Sequence, residues 1–221
     1  MDRTHIPGIL AMALIVLASN ILVQFLFGNW LTWGAFTYPL AFLVTDLMNR
    51  LYGPKAARQV VVVGFIVGIF CSLVGTQILR SDFLALFGVI SDEAYPLVTF
   101  RVALGSGLAF LTAQLIDVQI FDRLRDGRWW RAPLWSTLIG STVDTAIFFT
   151  IAFSAVLNGL EPENIPGWAQ DGVPLLGMGP EVALWVSLAV ADWGVKLTLA
   201  LIALVPFRLI VRRRAEAREL A

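Results

Sequence analysis

The sequence predicts an all-α integral membrane protein with six transmembrane helices and both termini cytoplasmic, forming a single domain over residues 1–221. Three observations lead there. Of the residues, 58% are hydrophobic and 14% charged, with a mean hydropathy of +0.78; soluble domains run at about 45–50% apolar and about 25% charged. Six apolar segments can be drawn, each long enough for the roughly 20 residues that a spanning helix needs. Lysine and arginine, finally, fall almost entirely on alternate connections, which is the signature of positive-inside orientation.

The first segment covers residues 9–27. Arg3 precedes it, as in a signal peptide, but the apolar run continues past Ala18 and exceeds the roughly 7–15 residues of such a leader. It is read as a retained helix. The second segment, 31–51, begins between Trp30 and Trp33, whose indoles favour the headgroup level. The third, 57–79, carries Gly64, Gly68, Ser72 and Thr76 at every fourth position. On the fourth, 97–121, Gly105, Ala109 and Ala113 repeat the pattern and lead to Asp117. Small residues let helix backbones approach in lipid, so both stripes predict interior faces. The fifth segment, 133–157, aligns Ser136, Gly140 and Asp144; the sixth, 182–210, carries Asp192, Trp193 and Lys196.

With both termini inside, the inner segments hold Arg3, Arg50, Lys55, Arg58, Arg123, Arg125, Arg128, Arg131, Arg208, Arg212, Arg213, Arg214 and Arg218. The outer side keeps Arg80 and Arg101, at helix ends. An odd number of spans would spoil this asymmetry. The outer connections are long. Residues 81–96 include Phe83, Leu84, Leu86 and Phe87, an apolar cluster suited to the membrane surface, while 158–180 are rich in proline and glycine and carry no basic residue. A loop of the second kind is either a lid over an outward-facing pocket or simply mobile.

Composition excludes several functions. Cys71 is the single cysteine and His5 the single histidine, so neither an internal disulfide nor a Cys/His zinc cluster can form. No G-x-x-x-x-G-K-[ST] loop occurs, and the spans leave no room for a soluble catalytic domain. No metal, no cofactor, no nucleic-acid partner and no enzymatic activity are expected.

What remains is a set of charges in expensive places. A bare charge at the bilayer centre costs roughly 2.5–3.5 kcal/mol on insertion scales, so such groups are normally paired or line a polar path. Asp192 and Lys196 are one turn apart and share a face, which suits an ion pair. Asp144 lies roughly 17 Å from the inner end of its helix, at about 1.5 Å per residue, with no partner on that helix. It must find one elsewhere, stay protonated or face water. Asp46 with Asn49, and Gln114 with Asp117, are spaced by three and share faces; Asn20 and Gln24 add a four-spaced amide pair. Carboxylates beside carboxamides suit a ligand with several N–H and C=O groups. Equally, Asp46, Asn49, Gln114 and Asp117 could instead bond to Arg50 or Arg123 as helix-end caps. The residues alone therefore predict a transporter or receptor for a small polar solute in the lipid bilayer.

The stretch Phe36-Thr37-Tyr38-Pro39-Leu40-Ala41-Phe42-Leu43-Val44-Thr45-Asp46-Leu47-Met48-Asn49-Arg50-Leu51-Tyr52-Gly53 resembles the hallmark of the queuosine precursor transporters, also called the vitamin uptake transporter family. Ala18-Ser19-Asn20-Ile21-Leu22-Val23-Gln24, Gln114-Leu115-Ile116-Asp117-Val118 and Gly140-Ser141-Thr142-Val143-Asp144-Thr145 extend the resemblance over essentially the whole chain. Arg50 departs from it, since the residue after the asparagine is often acidic in the family. The resemblance implies import of the 7-deazaguanine precursors preQ0 and preQ1 across the bacterial inner membrane. It also implies a fold similar to the substrate-binding subunits of energy-coupling-factor transporters. The protein would act either alone, as a secondary importer, or as a subunit needing a separate energising partner; a homo-oligomer is left open. The polar lining is then expected from Asn20, Gln24, Asp46, Asn49, Gln114, Asp117, Asp144, Asp192 and Lys196, with Trp193 or Phe148 as a stacking platform.

Overall fold

A computed structural model describes residues 3–22, 26–27, 31–80 and 100–219. They form α1 (Ile6–Leu22), β1 (Leu26–Phe27), β2 (Leu31–Thr32), α2 (Gly34–Thr37), α3 (Leu40–Tyr52), α4 (Pro54–Arg80), α5 (Phe100–Leu124), α6 (Arg131–Phe153), β3 (Gly172–Pro174), β4 (Glu181–Ala183) and α7 (Leu184–Glu219). Windows within α4, α5, α6 and α7 are long and apolar enough to cross a membrane. The chain is a multi-pass, all-α membrane protein. The apolar cluster expected in residues 81–96 lies outside the described residues.

Two segments differ from the sequence expectation. The first helix starts at Ile6 and its described part ends at Leu22, while Leu26–Phe27 pair antiparallel with Leu31–Thr32. Hydropathy cannot separate a short apolar strand from the end of a helix. The second segment is two pieces, α2 and α3, joined at Tyr38–Pro39. Pro39 has no N–H to give to the helix before it. The chain passes the junction with short-range bonds, Ala41 N–H to the Tyr38 carbonyl at 3.0 Å and Phe42 N–H to the Pro39 carbonyl at 3.2 Å. Gly53, at φ 91°, then reverses the chain into α4, a conformation that side chains with a Cβ rarely adopt. Pro54 opens α4 at the position where a missing N–H costs nothing.

The distribution of side chains is inverted relative to a water-soluble protein. Leu10, Leu14 and Leu17 on α1, Val62, Ile66 and Phe70 on α4, and Leu201, Ile202 and Val205 on α7 are exposed. Among the largest fully buried side chains are Arg101, Gln114, Asn49, Asp117 and Ser136. Lipid accepts the apolar faces, so burial is reserved for polar groups and for close helix contacts. The α5 small-residue stripe is buried as its spacing predicts, and of the α4 stripe Gly64 is buried while Gly68 is half-buried. Gly64 packs under Met12 and Phe110, and Ala109 and Ala113 are buried; the side chains of Ser72 and Thr76 lie outside the described residues. An apolar core of Met12, Val16, Ala41, Met48, Ala57, Val60 and Phe110 joins α1, α3, α4 and α5. A smaller one, Phe121, Ala132 and Phe207, joins the opposite ends of α5 and α6 to α7. There Arg208 stacks on the Trp129 ring at 4.7 Å, an arrangement suited to the headgroup level.

At the other end, Arg101 stands at the start of α5, a helix end as expected, and is only 1% exposed. Its guanidinium donates to the carbonyls of Ile151 (3.0 Å) and Ser154 (2.7 Å) and to Asn158 Oδ1 (2.9 Å). Glu161 in turn accepts the backbone N–H groups of Phe100 (3.3 Å) and Arg101 (3.0 Å), completing the α5 N-terminus as an N-terminal carboxylate should. The connection after α6 is therefore stitched to α5. It continues through short 3₁₀ turns and the β3–β4 pair, and Leu176 N–H reaches Ser187 Oγ at 3.0 Å.

Candidate functional site

α3 and α6 run antiparallel, and two hydrogen bonds fix their register. Tyr38 Oη donates to Asp144 Oδ1 at 2.9 Å, and Ser136 Oγ donates to Asp46 Oδ1 at 3.0 Å. Each pair is displaced from the other by eight residues on both helices, about 12 Å at 1.5 Å per residue. The polar interior thus has two tiers.

The first tier is centred on Lys196 of α7. Its Nζ donates to Asp144 Oδ2 at 2.7 Å and Thr145 Oγ1 at 3.0 Å, and lies 2.5 Å from Asp192 Oδ2. Thr145 passes its own proton to Asp192 at 3.0 Å. The ammonium also stands 5.6 Å from the Tyr38 ring centroid. The expected Asp192–Lys196 pair is present, and Lys196 is also the partner that Asp144 lacks on its own helix. All three ammonium donors are used, which is how an ion survives in a dry interior.

The second tier lies between α3, α5 and α6. Asp46 accepts from Ser136 and, through Oδ2, from Thr137 at 3.1 Å. Asp117 of α5 faces it. Gly140 makes this possible, since a Cβ there would sit 2.8 Å from the Phe42 ring and 3.4 Å from Asp117 Cβ. Thr45 Oγ1 donates to Gln114 Oε1 at 2.6 Å. Yet Gln114 Nε2 and both Asp117 carboxylate oxygens have no hydrogen-bond partner among the described residues, although both side chains are 0% exposed. Unpaired buried polar atoms cost free energy and call for an explanation.

Asn49 is used differently. Its amide donates to the Val118 carbonyl at 2.9 Å, and its Oδ1 accepts from Arg125 at 2.6 Å. Arg125 also reaches the Asn49 carbonyl, and Arg50 Nη1 donates to the Arg125 carbonyl at 2.6 Å. The capping arginine is thus Arg125, whereas Arg50 or Arg123 was expected, and Asp46 is not part of the cap. Trp193 lies off both tiers, with its indole N–H on Thr142 Oγ1 at 2.9 Å at the exposed side of α6. Phe148 belongs to an aromatic group with Phe149 and Phe153. The side chain of Asn20 and all of Gln24 lie outside the described residues. Sequence reasoning did not single out Tyr38, Thr137 and Thr145; what could have found them is their adjacency to Pro39, Ser136 and Asp144. Among the described residues no group of three His, Cys, Asp or Glu could hold a metal ion.

A membrane helix bundle whose interior charges are paired in one tier and unpaired in the next is the architecture of a small-solute carrier. Residues 32–211 match the profile described as putative vitamin uptake transporter, and the chain belongs to that family. The family is one of transporters, not enzymes. The chain is 30% identical over 216 residues to the protein of Escherichia coli (strain K12) named Queuosine precursor transporter, covering 94% of this chain and 88% of that one. It is 37% identical over 142 residues to a Probable queuosine precursor transporter of Haemophilus influenzae, covering 64% and 58%. A protein of the same name from Bacillus subtilis (strain 168) is 33% identical over 139 residues, covering 59% and 60%. No solved structure matches the chain.

Proposed function

We propose that this protein imports the 7-deazaguanine queuosine precursors preQ0 or preQ1 across the bacterial inner membrane. The observation that carries the substrate reading is the unpartnered trio in the second tier. Gln114 Nε2 is a free donor and the Asp117 oxygens are two free acceptors, one helix turn apart on α5. A 7-deazaguanine edge is their complement, with a carbonyl for the amide and a ring N–H plus an amino group for the carboxylate. The names of the relatives support the same substrate class. Asp46 and Gln114 belong to this lining. The Lys196 network forms the polar path beside it, with Asp144 and Asp192, and on this reading Asn20 and Gln24 also belong to the lining.

The surrounding architecture on this reading is a single unit of six spans, α2 and α3 together making the second, with both termini cytoplasmic. It is akin to the substrate-binding subunits of energy-coupling-factor transporters. The thirteen inner against two outer basic residues support that orientation. The protein works as a secondary importer, and the interior carboxylates supply a means of coupling that needs no nucleotide.

The experiment is uptake of labelled preQ0 and preQ1 by liposomes containing only the purified protein, with and without a proton gradient. Gradient-dependent accumulation is expected, and Asp117→Asn and Asp144→Asn are expected to abolish it while still inserting in the membrane. Saturable binding without uptake would instead establish a subunit that needs an energising partner. Neither binding nor uptake would overturn the substrate.

A further inference from the structure

We infer that Asp46 and Asp117 together hold one exchangeable proton, which is carried through the closed state with the substrate. The proton site is argued from the burial of the pair, the hydroxyls on Asp46 and the close approach of Gly140 to Asp117; its coupling to substrate rests on the reading above. Asp46 is 2% exposed and Asp117 0%. Two carboxylates that face each other in a water-poor interior cannot both stay ionised, because each loses hydration and each repels the other.

Among the described residues no cation is placed to relieve them. On α7, Lys196 has its three donors on Asp144, Thr145 and Asp192. Arg125 is turned to Asn49 and Asp122, and Arg50 to the Arg125 carbonyl. From α6 the pair meets the hydroxyls of Ser136 and Thr137, and from α5 the amide of Gln114, which are neutral. α4 packs on α3 through the apolar Ala57, Val60 and Val61, while its Lys55 and Arg58 are exposed; α1 presents Met12. Asp144 and Asp192 belong to the Lys196 network.

The donors are also unequally shared. Both oxygens of Asp46 receive a hydroxyl, whereas among the described residues neither oxygen of Asp117 has a hydrogen-bond donor in bonding geometry. In the closed state the proton therefore sits on Asp117 and is donated to Asp46, supplying the donor that the second tier lacks. A substrate edge needs Asp117 bare. The O–H bond of Asp117 then breaks and one forms on Asp46, with no proton released. Ser136 can turn to permit this, because the Pro133 carbonyl is a second acceptor for its hydroxyl at 3.4 Å, and a hydroxyl both donates and accepts. Asp46 and Thr137 also line a narrow crevice between α3, α6 and α7, walled by Leu43, Pro133, Ala203 and Phe207.

The test begins with infrared difference spectroscopy of the purified, substrate-free protein over a pH series. The expected result is a carboxylic-acid carbonyl band that persists into the neutral range. It is lost in Asp117→Asn and in Asp46→Asn, and shifted in Thr137→Val, which removes one hydroxyl from Asp46. Absence of the band, or its survival in both asparagine variants, would overturn the site. The second arm compares labelled preQ1 uptake by liposomes with and without an inside-alkaline gradient. In Asp46→Asn the stimulation by the gradient is lost, so whatever exchange remains is the same in both conditions. Retained stimulation in that variant, or accumulation driven by a sodium gradient in place of protons, would overturn the coupling. A persistent band in a protein that neither binds nor imports preQ0 or preQ1 would remove the substrate reading and leave the proton site standing.

Discussion

The two tiers of the interior hold similar residues and solve the same problem in opposite ways. Around Lys196, two carboxylates share one ammonium, and Thr145 and Tyr38 complete the network. Around Asp117, a carboxylate faces a carboxylate and three polar atoms have no partner among the described residues. The first arrangement holds helices together, since removing its ammonium leaves two carboxylates without a counter-charge. The second holds them less tightly and is available for something that arrives. A carrier needs both, a latch that keeps the bundle closed and a site whose bonds are incomplete until cargo fills them.

Stability measurements can break this contrast, and Lys196→Ala is expected to have the largest effect. It strands Asp144 and Asp192 without a cation, and removing one partner of a buried pair typically costs about 3–5 kcal/mol. Denaturant unfolding in detergent micelles checks it, and a loss under about 1 kcal/mol would mean that the latch is not one. Tyr38→Phe comes next. It deletes one hydrogen bond to a charged acceptor, worth about 1.5–3 kcal/mol, and loosens the α2–α3 junction from α6.

Asp117→Asn sharpens the comparison from the other side. An amide of the same shape can donate to Asp46 and carries no charge, so stability should change by less than about 1 kcal/mol even as uptake is lost. If Asp117→Asn were as destabilising as Lys196→Ala, the two tiers would be alike. The smallest effect is expected at Glu216→Gln. This ends the exposed Arg212–Glu216 pair on the last turns of α7, which should be worth no more than about 0.5 kcal/mol.

Much of the fold was legible because lipid imposes simple rules. The long apolar runs that became α4, α5, α6 and α7 announce themselves, and the Gly64 and Gly105–Ala113 stripes correctly mark faces that bury. The Asp192–Lys196 pair was legible too, since both lie on one helix at i and i+4. Other features were hidden for physical reasons. The break at Pro39 lies inside an unbroken apolar run, which hydropathy reads as one helix. That Arg101 stands at a helix end was legible, but its burial was not, because exposure cannot be read from position; three acceptors at the end of α6 and on the connection after it, fifty or more residues away, decide it.

The amino-acid sequence by itself determined that this chain lives in a bilayer, which segments seek lipid, and which charges must be hidden. Those outcomes depend on local composition and on helical periodicity, both written along the chain. Only the tertiary structure decided which hidden charges are satisfied. Asp144 and Asp117 look alike in sequence, each an aspartate on a small-residue stripe. Their difference comes from the neighbouring helix, which offers an ammonium to one and a second carboxylate to the other, and that pairing is set by how the helices pack across the bundle.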